Sequence, residues 1–86
     1  MDTDIRDYVL DTVRNVMNIH VADPVDENTP IGPGGLDLDS LSLLELAARL
    51  EKEYAFKIDD GEYETLGRAT LGAFVSYVAR LRTTAA

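Results

Sequence analysis

The chain contains no cysteine. That absence removes a disulfide framework, a thiolate nucleophile and any cysteine metal site, so a reactive sulfur must come from outside the polypeptide. Histidine is nearly as scarce. His20 stands alone, without a second histidine or cysteine to complete a metal cluster, and reads as a residue at a helix end. Basic side chains are outnumbered, eight against sixteen acidic ones, which leaves a formal net charge of -8. Such a surface argues against nucleic acid and anionic membranes as partners. It suits proteins with basic docking patches, whose encounter it speeds at low salt, although part of the charge serves solubility alone. No apolar run reaches the length of a transmembrane helix, and Met1-Asp2-Thr3-Asp4 lacks the basic and apolar regions of a signal peptide. No membrane insertion and a cytoplasmic location are therefore expected.

Catalytic signatures are missing as well. There is no Walker loop, no dinucleotide fingerprint and no internal repeat. Asp37-x-Asp39 does not open a calcium loop. Counted from Asp37, the positions that require an oxygen ligand, a glycine and a glutamate hold Leu41, Ser42 and Ala48. Ser40 has no Gly-x-Ser-x-Gly elbow and only the distant His20 as a base. No metal site and no enzymatic activity are expected.

What is present, in 86 residues, is enough for one small domain, taken as 1–86 with an ordered core of about 3–82. Ile5, Tyr8, Val9, Val13, Val16 and Met17 recur at helical spacing and predict a first amphipathic helix from Asp4 to about Ile19. Between His20 and Leu38 lie Pro24, Pro30 and Pro33 with Gly32, Gly34 and Gly35, which predict a long loop pinned by Val21, Val25, Ile31, Leu36 and Leu38. A second helix is predicted from Asp39 or Ser40 to about Tyr54. Its core stripe is Leu43, Leu46, Ala47, Leu50 and Tyr54. A single-turn third helix is expected around Asp60 to Glu64, with Phe56, Ile58, Tyr63 and Leu66 as anchors. The last helix begins after Thr70 as N-cap and buries Leu71, Phe74, Val75, Val78 and Leu81. Arg80 and Arg82 fall in its final turn, and Thr83 to Ala86 form a frayed tail. The fold class is all-α: a four-helix bundle of three long helices and one short, with the long loop between the first two.

The segment Gly34 to Leu50 organises the rest. Asp39 is placed as N-cap, with Leu38 and Leu43 at the spacing of a hydrophobic staple. Ser40 is then the first residue inside the helix, where unpaired N–H groups and the helix dipole favour an attached phosphate. Most serines at helix starts only cap, and Ser42-x-x-Glu45 also fits a capping box that would begin the helix two residues later. Leu41, Leu44, Glu45 and Ala48 fall on or near another face of the same helix. Two leucines there read either as a docking surface or as a second buried face.

The ordered set Gly35-Leu36, Asp39-Ser40-Leu41, Leu44-Glu45-Leu46, Leu50-Glu51-x-Glu53-Tyr54 and the closing Tyr77-Val78 resembles the acyl carrier proteins of fatty acid, polyketide and nonribosomal peptide pathways. The resemblance covers nearly the whole chain. It implies that Ser40 is esterified by 4'-phosphopantetheine, whose terminal thiol carries an acyl group as a thioester. It also implies a phosphopantetheinyl transferase as partner, in which the Ser40 hydroxyl attacks the β-phosphate of coenzyme A. Asp39 and Leu41 flank the attachment point, and Leu41, Leu44, Glu45 and Ala48 form the face recognised by acyl-loading enzymes, ketosynthases or other pathway enzymes. Leu46, Ile58 and Val75 are candidates to line a space for the acyl chain, and the third-helix segment is the part that moves to admit it. The Ile31-Gly32-Pro33-Gly34-Gly35 segment is longer than in fatty acid carriers, and Arg49 and Lys52 interrupt an otherwise acidic helix. Both departures point toward a polyketide or other secondary-metabolite pathway. The start at Met1 and the short tail suggest a discrete carrier, and a monomer is expected. Two alternatives stay open: a peptidyl or aminoacyl carrier, and an unmodified helical adaptor module.

Overall fold

Asp2 opens the first element. Its carboxylate accepts the Ile5 N–H at 3.1 Å, satisfying one of the donors that a helix start leaves unpaired, and α1 runs from Thr3–Asp11. The computed structural model describes residues 1–21 and 23–85, with side chains through Thr83. Ile5, Val9 and Val13 lie one turn apart and are fully buried. Beyond Asp11 the backbone widens into a π-helical turn over Thr12–Val16, closed by the Met17 N–H on the Thr12 carbonyl at 2.9 Å. The helix therefore stops at Val16 rather than about Ile19. The wider turn shifts the apolar register, so Val16, expected in the buried stripe, is exposed. Asn18 then takes a left-handed φ of 57°, and His20 lies exposed in the loop beyond the helix.

The long loop is laced to the chain that leads into the last helix. The Ile31 N–H donates to the Ala69 carbonyl at 3.0 Å, the Leu71 N–H to Thr29 at 2.7 Å and the Gly72 N–H to Glu27 at 2.8 Å. Ile31 and Leu36 are fully buried and Val21 and Leu38 nearly so, as their spacing implied. At Gly35 a Cβ would stand 2.1 Å from the Pro30 carbonyl oxygen, so only glycine fits where the loop doubles back.

Helix α2 spans Ser40–Tyr54 and buries Leu43, Leu46, Ala47 and Leu50. A 3₁₀ turn at Asp60–Glu62 leads into the short α3, Tyr63–Gly67, about one turn further along the chain than expected. Helix α4 spans Leu71–Ala85, with the Thr70 hydroxyl accepting the Ala73 N–H at 3.2 Å. It continues through Ala85, so the tail expected to fray from Thr83 is helical that far, and Ala86 lies outside the described residues. Arg82 occupies its last turn, while Arg80, expected there too, falls just before it because the helix runs on to Ala85.

The bundle is all-helical, with three long helices and one short, and no strand occurs among the described residues. One core gathers Ile5, Val9, Leu46, Leu50, Phe74, Val75 and Val78 from α1, α2 and α4, where each buried aliphatic side chain contributes roughly 1.5–3 kcal/mol. A second tie closes the end of the bundle. Arg82 reaches back to Asp2 at 2.7 Å and stacks 5.5 Å above the Tyr54 ring, which meets Tyr8 edge-on at 5.7 Å.

Candidate functional site around Ser40

Asp39 sets the geometry. Its backbone is extended, and its carboxylate accepts the Ser42 N–H at 2.8 Å. That bond, with the Ser42 hydroxyl as a second donor, holds the Asp39 carboxyl below the usual carboxylate range. The helix thus starts at Ser40 and not two residues later, and Ser42 is drawn into the cap. Leu38 and Leu43, on either side of the cap, are both buried, as a hydrophobic staple requires. Ser40 is exposed, and no side-chain hydrogen bond within the described residues engages its hydroxyl.

Beside Ser40 the surface opens into a cavity of about 670 Å³ between α2 and the α3 segment. Leu38, Leu43 and Leu44 form its apolar wall, Tyr63 and Gly67 face them, and Asp39, Asp60, Glu64 and Arg68 add charge. From the sequence pattern Tyr63 is only a core anchor, Gly67 only a glycine that lets the third-helix segment move, and Glu64 and Arg68 have no role at the site. They are brought to Ser40 by tertiary packing across two elements, which no local spacing encodes.

The expected residues fall into two groups. Leu41, Leu44, Glu45 and Ala48 are all exposed on α2. Leu41 is 76 % and Leu44 48 % accessible, so the second-face burial of these leucines does not occur. Leu46, Ile58 and Val75 do the opposite. They are 0–2 % exposed in the closed core and do not line the cavity beside Ser40. The helical period places Leu46 one turn inward from that opening, and Ile58 is drawn in by its own N–H, which donates to the Glu51 carboxylate at 2.7 Å.

The four-helix bundle presents an uncommitted serine hydroxyl at the start of its second long helix, next to a cleft, an arrangement that suits a covalently attached group. Residues 7–78 match the family described as "Phosphopantetheine attachment site". The chain belongs to that family, whose cofactor is covalently attached 4'-phosphopantetheine. Among curated proteins it is similar to the meromycolate extension acyl carrier proteins of Mycobacterium leprae, Mycobacterium bovis and Mycobacterium tuberculosis. The identity to each is 34 % over 71 residues, covering 71 % of this chain and 60 % of the relative. The chain thus spans 60 % of the length of these relatives. No solved structure matches it. Among the described residues no helix is long and apolar enough to cross a membrane.

The site suits the cofactor on its own geometry. The attachment point must be reachable by a transferase, and Ser40 is exposed. A phosphate on Ser40 would face the positive end of a 15-residue helix, and the cleft alongside would offer apolar and polar walls to the rest of the arm. When bound, the arm supplies the thiol that this cysteine-free chain lacks.

Proposed function

We propose that Ser40 is the attachment serine and that the protein carries acyl intermediates as thioesters, presenting them to the enzymes of a polyketide or related chain-extending pathway. The single observation that carries this reading is the division of labour at the helix start. Asp39 and Ser42 complete the cap, which leaves the exposed Ser40 hydroxyl for modification. In the transferase, Ser40 Oγ attacks the β-phosphate of coenzyme A. The new O–P bond forms as the pyrophosphate linkage breaks, adenosine 3',5'-bisphosphate leaves, and the serine proton passes to a base of the transferase.

Around the attachment point, Leu41, Leu44 and Ala48 offer an apolar face and Glu45 and Asp39 offer negative charge to a partner with basic residues. Relatives named for meromycolate extension are consistent with cargo that is elongated while tethered. On this reading the domain is 1–86, a monomer working in the cytoplasm. The test is incubation with coenzyme A and a broad-specificity transferase, read by intact mass. The wild type is expected to gain one phosphopantetheine, and a folded Ser40→Ala variant none. A variant that is still modified, or a wild type left bare by an active transferase, refutes the assignment.

A further inference from the structure

The cleft that Ser40 lines contains three carboxylates, Asp39, Asp60 and Glu64, and a single lining cation, Arg68. Attachment of the arm adds a phosphodiester, one more negative charge, to this acidic rim. The Asp39 carboxylate already holds the Ser42 N–H, so that donor is taken. The helix dipole offsets only part of the repulsion. Arg68 is the group able to supply the remainder. Its present partner is weakly held: one guanidinium nitrogen lies 2.9 Å from Glu64 Oε1, with the two side chains 79 % and 77 % exposed. Exposed pairs one helical turn apart are among the weakest ion pairs. A phosphodiester offers the guanidinium fork two oxygens at once, a stronger and more specific match than the single contact to Glu64.

We propose that Arg68 is the counter-ion of the Ser40-linked phosphodiester, leaving Glu64 for it once the arm is attached. Arg68 is thereby a positioning residue that draws the base of the arm toward the cleft between α2 and α3. This rests on the assignment of Ser40 as the attachment serine. It places the role on the residue that ends α3, where Arg68 is the C-cap, so the short helix senses whether the carrier is loaded. The side chain is largely free of the core, and its replacement leaves the cap's backbone bond to Thr65 in place.

The experiment compares the unmodified and phosphopantetheine-loaded chain, with loading verified by intact mass. In ¹⁵N spectra the Arg68 Nε–Hε signal is expected to shift on loading, and the shift is expected to shrink as sodium chloride is raised. In ³¹P spectra the loaded wild type and Arg68→Gln are expected to differ by more than a linewidth, with Arg68→Lys in between because it keeps the charge and loses the fork. Glu64→Gln, which removes the competitor, is expected to keep or enlarge the loading shift. A fully loaded protein whose Arg68 signal does not move, and whose phosphorus signal is the same in wild type and Arg68→Gln, overturns the role of Arg68 while leaving Ser40 as the attachment point. A chain that gains no mass overturns both.

Discussion

Ala55 shows what a single residue contributes against its own preference. It closes α2 in the left-handed region, φ 56° and ψ 51°, where a Cβ meets the following carbonyl at a cost of roughly 1–2 kcal/mol and glycine is the usual occupant. Ala55→Gly is therefore expected to raise stability by about 1 kcal/mol, or the melting temperature by about 4–8 °C. Thermal unfolding checks this, and a lowered midpoint would contradict the strain argument. Asp39 makes the opposite point, since its acidity is set by the cap. Its folded pKa is depressed by the Ser42 N–H, so its contribution is fully present above the unfolded value of about 3.9 and is lost as pH falls through the lower folded value. Asp39→Asn keeps a capping oxygen and removes the titration. Between about pH 7 and about pH 3 its urea midpoint is expected to fall less than that of the wild type; equal falls would show that the carboxylate is not linked to folding. The cap at Asp39 was legible from spacing, because aspartate before a leucine stripe has a mechanism. The left-handed turn at Ala55 was not, because alanine gives no signal for it.

At the scale of elements, the loop and the last helix behave as one unit. Gly35 doubles the loop back under Pro30, and a methyl group there would collide with a backbone oxygen rather than with a movable side chain. Gly35→Ala is expected to destabilise the fold by more than 1 kcal/mol, within the range of backbone effects on single mutants. Chemical denaturation reads it directly, and an unchanged midpoint would mean that the Pro30 turn adapts freely. Helices α2 and α4 were readable because a long amphipathic stripe and a polar cap agree on where each begins. The end of α1 was not. Val16 and Met17 keep an apolar pattern past the point where the backbone widens, and only the Met17 bond to Thr12 reveals the extra residue in the turn. For α3, the short broken run from Asp59 to Leu66 placed a short helix but left its bounds about one turn out, since tertiary contacts of Leu66 rather than local propensity fix so short an element.

At the scale of the whole molecule, charge is the organising quantity. On the proposed reading, a net charge of -8 draws partners with basic patches toward the face that bears Glu45, and it also makes Arg68, the cation that lines the Ser40 cleft, matter. Glu45 is exposed, so Glu45→Lys is expected to leave stability within about 0.5 kcal/mol. It is expected to slow modification by the transferase several-fold at low salt and much less at high salt. Equal slowing at both would argue for a contact role instead of steering. The family was visible in the ordered motifs from Gly35-Leu36 through Tyr77-Val78. The cleft was not, because Tyr63, Glu64, Gly67 and Arg68 reach Ser40 only through packing, and Leu46, Ile58 and Val75 are buried in the core without lining that cavity. The most direct measurement is to locate the attached group within the chain. Trypsin releases residues 15–49, which hold both Ser40 and Ser42, and fragmentation of this peptide after loading with coenzyme A distinguishes the two. Phosphopantetheine on Ser40 is the result expected; its presence on Ser42, or its absence from the peptide, would contradict the account.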